Sequence, residues 1–126
     1  MEKHKYLARL CLESYHRQTF SICGIEVLVV GNHISIRGTE PSSLTDILRN
    51  LLGRNGYRMA AHSIYYRCLE NIDKTKPVYI TGHSAGGAIA IYLSKLIKCK
   101  EVVVFGCPRL SENVSNLYSY VYANDA

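Results

Sequence analysis

The chain has 126 residues, of which 48% are hydrophobic and 20% are charged, and its formal net charge is +5. This length suits one domain, and the ordinary globular composition excludes a disordered tail, a collagen-like repeat and a coiled coil. Fifteen basic residues stand against ten acidic ones, and the arginines are scattered rather than packed into the basic stripe of a nucleic-acid-binding protein. We therefore expect no nucleic-acid partner.

The first third of the sequence predicts a helix followed by a β-hairpin. Apolar residues at helical spacing predict an amphipathic helix over residues 3–17. The β-branched run from Ile25 to Val30 and the segment 33–37 predict two strands, and the pair Gly31-Asn32 between them is typical of a two-residue hairpin turn.

The rest of the chain alternates helical and strand patterns. Apolar residues of the segment 43–52 fall on one helical face, and Gly53 is expected to end that helix. The remaining predicted elements are a helix from about 57 to 71, a strand at 78–81, a helix at 85–98, a strand at 101–105 and a short strand at 119–122. Strands that alternate with helices favour parallel crossovers and an α/β sheet.

Other sequence features limit the location of the protein and the cofactors it could use. No apolar run approaches the roughly 20 residues that span a bilayer, and the charged start is not followed by the apolar core of a signal peptide. We therefore predict a soluble, cytoplasmic protein without a transmembrane segment. Five widely spaced cysteines without a C-x-x-C pair favour free buried thiols over disulfides or a zinc site, so no metal and no cofactor is expected.

The most informative motif is Gly82-His83-Ser84-Ala85-Gly86, a G-x-S-x-G pattern between a predicted strand and a predicted helix. So tight a strand-to-helix turn strains the backbone of the central residue and leaves no room for side chains two positions away, which explains glycine at 82 and 86. Ser84 would then stand at the carboxyl edge of the sheet and at a helix N-terminus, where free amides favour negative charge. The alternative is a glycine-rich turn without chemistry.

Three blocks of the sequence resemble, in order and spacing, the signature blocks of the class 3 lipases, which are fungal-lipase-like α/β-hydrolases. The blocks are residues 34–39 (ISIRGT), 81–88 (TGHSAGGA) and 104–109 (VFGCPR). Asp125 falls where that family places its catalytic aspartate, so the resemblance covers roughly residues 25–126. It implies an α/β-hydrolase-type, mostly parallel sheet flanked by helices, in a single domain of residues 1–126 that lacks its C-terminal strand and helix.

The resemblance also implies roles for individual residues. Ser84 would be the nucleophile, and the backbone N–H groups of Thr39 and Ala85 would form the oxyanion hole. Asp125 would orient the catalytic histidine. Residues 43–52 occupy the place of the lid helix of the family and could contact a lipid surface, although a core-packing helix fits the same pattern equally well.

One member of the triad is missing from the sequence, because no histidine follows Asp125, whereas this fold orders its triad as serine, aspartate and histidine. His83 is expected to have a structural role, and no clear signal marks His4, His16, His33 or His62 as a substitute base. The chain would then be a fragment of a longer lipase, a short protein completed by another chain, or a hydrolase fold kept as a binding module. We expect the first, because nothing in residues 122–126 resembles a designed stop, and the undamaged site residues argue against a degenerate hydrolase.

These observations predict a serine esterase or lipase that hydrolyses carboxylic esters of the acylglycerol type through a Ser84 acyl-enzyme. The alternative is a catalytically incomplete module that binds a lipid or a protein, or a fragment that needs a histidine from downstream or in trans. A weaker alternative is an acyltransferase, which would use the same serine and a different acceptor.

Overall fold

The computed structural model describes residues 2–13, 20–22, 25–37, 53–83, 85–106 and 116–120. In this part of the chain three helices flank a sheet of six strands. The helices are α1 (Glu2–Glu13), α2 (Gly53–Cys68) and α3 (Ala85–Ser94). The strands are β1 (Phe20–Ile22), β2 (Ile25–Val30), β3 (His33–Ile36), β4 (Tyr79–His83), β5 (Glu101–Phe105) and β6 (Leu117–Tyr120).

The order of the strands in the sheet is the same as their order in the chain. Strand β2 is antiparallel to both of its neighbours, β1 and β3, whereas β3, β4, β5 and β6 run parallel. Parallel neighbours require crossovers, and α3 lies on the crossover between β4 and β5. The predicted α/β fold with a mostly parallel sheet is therefore confirmed.

The predicted hairpin is present between β2 and β3. Val30 pairs with His33, which leaves Gly31 and Asn32 as the two turn residues. Gly31 has a φ of 57°, a left-handed conformation that glycine adopts without the steric penalty of a side chain. The carbonyl of Asn32 accepts a hydrogen bond of 3.0 Å from the backbone N–H of Tyr79, which ties the turn to the start of β4.

The helix boundaries differ from the sequence-based prediction in two places. Helix α2 begins at Gly53 rather than at about residue 57, and it stops at Cys68 rather than at residue 71. Helix α3 stops at Ser94 rather than at 98, because the chain tightens there into a turn in which Lys95 N–H bonds to the carbonyl of Tyr92.

Strand β1 was not predicted, and β6 covers Leu117–Tyr120 instead of 119–122. Strand β1 has only three residues, too few for an alternating pattern to be recognised. The predicted helix of residues 43–52 and residues 14–17 of the first predicted helix lie outside the described part of the chain.

Both faces of the sheet are covered by helices, and the two faces differ in composition. The face under α2 and α3, called the α2–α3 face, holds a large aliphatic core. Its buried strand residues are Ile25, Val27, Ile34, Ile36, Ile80, Val102 and Val104, and Val78 joins them just before β4. The opposite face, called the α1 face, packs Leu7 and Leu10 of α1 against Leu28, Tyr79 and Val103.

Polar side chains are buried on the α1 face. Ser35 pairs with Thr81, and Thr81 pairs with Val103, so both polar residues share the side of Val103 and of α1. Both are fully buried, and His4 of α1 is 8% exposed. One side of the sheet is therefore held by aliphatic packing, whereas the other also contains buried hydrogen-bonding groups.

Within the described residues, no helix is long and apolar enough to cross a bilayer, and no three histidine, cysteine or acidic side chains lie close enough to hold a metal ion.

Cys68 is a buried free thiol and Cys99 is a half-buried one, as predicted for these two cysteines. Burial raises the pKa of Cys68 to about 11, so this thiol stays protonated at neutral pH.

Candidate active site

The parallel strands end side by side at one edge of the sheet, the carboxyl edge. Ile36 of β3 is in register with Gly82 of β4, and His83 is in register with Phe105 of β5. Phe105 in turn pairs with Tyr120, the last residue of β6. The segments that follow β3, β4, β5 and β6 therefore leave the sheet from the same edge, where open α/β sheets place their ligand sites.

The chain passes from β4 to α3 through a single residue. Strand β4 ends at His83 and α3 begins at Ala85, so only the position of Ser84 separates them. A Cβ atom placed on Gly82 would collide with the carbonyl oxygen of Gly86, would lie 2.6 Å from the carbonyl carbon of Gly86 and would lie 2.8 Å from the Cα of Gly87. These contacts are with backbone, which cannot swing aside, so the turn requires glycine at position 82.

The N-terminus of α3 faces this turn. The first backbone N–H groups of a helix have no partner within the helix, and the helix dipole adds partial positive charge at that end. No acidic residue lies in the first turn of α3, and Gly86 and Gly87 are buried there. The local backbone is thus suited to stabilise a negative charge that develops beside position 84.

A comparison with protein-family models gives a match to the class 3 lipases over residues 54–122, which is more than half of the chain. The chain belongs to the class 3 lipase family. Searches of curated proteins and of solved structures give no significant match. The matched range begins in α2 and includes β4, α3, β5 and β6, so the described carboxyl edge of β4–β6 lies inside it.

The structure describes some, but not all, of the residues that the sequence assigns to the lipase site. Gly82 and His83 end β4, and Ala85 and Gly86 open α3. Ser84, Thr39 and Asp125 are not among the described residues, but each follows one of the strands that end at the carboxyl edge. Ser84 lies inside the range of the lipase match, whereas Thr39 and Asp125 lie before and after it.

His33 lies far from the carboxyl edge of the sheet, and both of its ring nitrogens are engaged. His33 begins β3 and is in register with Tyr79, four residues before His83, so it lies about 13 Å along the strands from the carboxyl edge. Its Nε2 accepts a 2.9 Å hydrogen bond from the ammonium of Lys3, and its Nδ1 lies 3.3 Å from the carbonyl of Val30. Burial, and then the charge of Lys3, lower the pKa of His33.

Sequence reasoning missed the role of His4. Its Nδ1 lies 2.6 Å from the hydroxyl of Tyr120 and its Nε2 lies 3.1 Å from a carboxylate oxygen of Glu101. A ring protonated at Nε2 satisfies both contacts, since it donates to Glu101 and accepts from Tyr120. The partners are 97 and 116 residues away in the chain, so no local pattern could have connected them.

A small apolar pocket of about 290 Å³ lies beside this histidine. It is lined by His4, Lys5, Ala8, Phe105 and Tyr120. Phe105 and Tyr120 are the last residues of β5 and β6, and their rings stack with centroids 5.5 Å apart. The pocket therefore opens close to the carboxyl edge, on the α1 face of the lipase sheet.

Proposed function

We propose that this chain hydrolyses carboxylic esters of lipid type, acylglycerols among them, through an acyl-enzyme on Ser84. The observation that carries the proposal is the passage from β4 to α3 through one residue, packed so closely that Gly82 has no room for a side chain. A serine at that position follows a strand end and precedes a helix N-terminus, which is the arrangement of a nucleophile elbow. Family membership supports ester hydrolysis as the reaction class.

In the proposed reaction, the Ser84 hydroxyl oxygen attacks the ester carbonyl while its proton passes to a histidine. The negative charge on the carbonyl oxygen is stabilised by the backbone N–H groups of Ala85 and Thr39. The intermediate then expels the alcohol, which takes the proton, and leaves the acyl group on Ser84. Water attacks this acyl ester with the same base, the acid is released, and Asp125 holds the imidazole in the correct orientation.

Three of the described histidines are poorly placed to act as the base of this reaction. Both ring nitrogens of His4 are engaged, His33 lies towards the opposite edge of the sheet, and His62 is exposed on α2. We therefore propose that the base comes from downstream of Asp125 or from another chain. A catalytically incomplete module that binds a lipid or a protein is the second candidate, favoured by the engaged ring of His4 and by the distance of His33 from the carboxyl edge.

The apolar pocket between α1 and the ends of β5 and β6 supports an ester with an apolar acyl group. Its wall contains Ala8 and the stacked rings of Phe105 and Tyr120, and Phe105 pairs directly with His83. Neighbouring strands are about 4.8 Å apart, so the pocket lies one to two strands from the end of β4. Contact of residues 43–52 with a lipid surface and a cytoplasmic location both remain predictions.

The test is covalent labelling with a fluorophosphonate, which reacts with activated serines. The folded protein and its Ser84→Ala variant are labelled with and without added imidazole, a soluble substitute for a missing histidine base. We expect labelling of the parent at Ser84, faster with imidazole, and none of the variant. Hydrolysis of a p-nitrophenyl ester is expected to follow the same pattern.

Two outcomes would contradict the enzymatic proposal. A protein that circular dichroism shows to be folded, but that is not labelled under either condition, would leave the binding module as the better account. Labelling that persists in Ser84→Ala would place the reactive residue elsewhere in the chain.

A further inference from the structure

Another cavity lies at the amino edge of the sheet, opposite to the candidate active site. Its volume is about 580 Å³, within the range of small-molecule sites in proteins. It is bounded by the end of α2, the segment before β4 and the segment between α3 and β5. Its apolar wall includes Leu69, Ile72, Val78, Leu96 and Ile97.

Four lysines surround this apolar wall. Lys74 and Lys76 precede β4, whereas Lys98 and Lys100 precede β5, and none of the described residues that line the cavity is acidic. None of the four ammonium groups forms a salt bridge within the described part of the chain. An apolar chamber is therefore combined with four positive charges from two separate segments, which is a complementary environment for a molecule with an apolar body and an anionic end.

Hydrogen bonds fix the loop that carries the first two lysines. The side-chain amide of Asn32 donates to the carbonyls of Asp73 (2.8 Å) and Lys76 (3.2 Å), and its oxygen accepts from the N–H of Asp73 (3.0 Å). The carboxylate of Asp73 accepts from the N–H and the hydroxyl of Thr75, at 2.9 and 2.6 Å. This carboxylate is thus held within its own loop, although Lys76 also acts on it electrostatically.

The second lysine segment is fixed as well. The N–H of Lys100 donates to the carbonyl of Val78 at 2.8 Å, which joins the two segments across the cavity. The side-chain amide of Asn116 donates to the carbonyl of Cys99 at 3.0 Å. Because both segments are held by such bonds, a ligand would meet a largely preformed site and would lose less free energy to ordering it.

We propose that this cavity binds a fatty carboxylate, with the alkyl chain against the apolar wall and the carboxylate among the four lysines. The site is separate from the proposed ester hydrolysis, because the cavity lies before β4 and β5 whereas Ser84 follows β4. An uncharged molecule with the same alkyl chain has no carboxylate to interact with the lysines. A small inorganic anion has no alkyl chain to pack against the apolar wall. Both are therefore expected to bind more weakly.

The experiment measures laurate binding by calorimetry, below its micelle concentration, with 1-dodecanol as the uncharged analogue. It uses the Ser84→Ala protein, so that the proposed catalytic serine cannot contribute. Lys98→Gln/Lys100→Gln is expected to raise the Kd for laurate at least tenfold. Arg9→Gln/Lys95→Gln removes the same charge from exposed positions that line neither this cavity nor the pocket beside His4, and it is expected to change the Kd less than twofold.

A second measurement locates the ligand. Cys99 is half-buried and lines the cavity, so bound laurate is expected to slow its alkylation by iodoacetamide, measured by mass spectrometry of the Cys99 peptide. Equal laurate binding by the Lys98/Lys100 variant, equal affinity for 1-dodecanol, or no protection of Cys99 would overturn the proposal. Lysine-dependent binding of phosphatidylglycerol vesicles without binding of laurate would also overturn it and would identify the region as a membrane-contact surface.

Discussion

The two faces of the sheet are stabilised in different ways. On the α2–α3 face, aliphatic side chains of β2–β5 pack against α2 and α3, and even the buried hydroxyls of Tyr57 and Tyr92 have no hydrogen-bond partner among the described residues. On the α1 face, a smaller apolar cluster adjoins hydrogen-bonded histidines. The stability of the first face should therefore depend on volume and shape, and that of the second on protonation and on hydrogen-bond partners.

The largest effect is expected from Gly82→Ala, which puts a methyl group into the backbone of α3 on the α2–α3 face. The clash should lower the free energy of unfolding by about 3 kcal/mol or more, because neither strand nor helix can move without losing contacts. Urea unfolding measures it. Gly31→Ala is the control, since its methyl group would have open space and only the left-handed φ would cost about 1 kcal/mol. Similar losses in both variants would contradict the steric explanation.

A smaller effect is expected from His4→Ala on the α1 face. The substitution removes the contacts with Tyr120 and Glu101, and we expect a loss of about 1–2 kcal/mol, because both partners are exposed enough to be hydrated in the variant. Urea unfolding of His4→Ala, Tyr120→Phe and the double variant measures the coupling between the two residues. Additive losses would show that the 2.6 Å contact does not contribute.

The pH dependence of the unfolding free energy should come from the α1 face. We expect it to be smaller than the effect of His4→Ala. The pKa of His33 is lowered by burial and by Lys3, so the unfolded chain binds a proton more readily than the folded one. This contribution is fully present above the unfolded pKa of about 6.5 and is lost as the pH falls below it. Unfolding free energies at pH 7.5, 6.5 and 5.5 should therefore fall less in His33→Gln than in the parent. Equal decreases in both proteins would assign the pH dependence to other groups.

The smallest effect is expected from Tyr92→Phe on the α2–α3 face. Tyr92 is 4% exposed, and its hydroxyl finds no partner within the described structure. Removal of this hydroxyl should leave the unfolding free energy unchanged or raise it by up to about 1 kcal/mol. Thermal unfolding of the parent and variant provides the measurement. A loss of more than about 1 kcal/mol would show that the hydroxyl is hydrogen-bonded and that this face is less dry than described.

The sequence predicted those parts of the fold that local patterns determine. The hairpin follows from a β-branched run beside Gly31-Asn32, and the turn between β4 and α3 follows from the glycines around Ser84. The start of α2 was predicted at about residue 57, too late in the chain, because glycine is more typical of the end of a helix than of its first turn. Strand β1 was not predicted, because three residues are too few to show an alternating pattern of apolar and polar side chains.

Features made by distant segments could not be read from the sequence. His4 meets Tyr120 across 116 residues, and the lysine-surrounded cavity joins residues 65–78 to residues 96–100. For the candidate site, the sequence supplied the G-x-S-x-G motif, and the structure supplied the backbone contacts that exclude a side chain at Gly82. The roles of Ser84, Thr39, Ala85 and Asp125 stay predictions that the labelling experiment addresses.

The strands have the same order in the sheet as in the chain. This order affects how the protein can fold during its synthesis. Each strand of the sheet can join a neighbour that the ribosome has already released, so the sheet can extend strand by strand from β1 to β6. Helix α1 is the exception, because it is synthesised first but packs on β3, β4 and β5 and contacts β6 through His4. Its apolar face cannot be fully covered until those strands emerge, so α1 completes its packing only after most of the described chain has been synthesised.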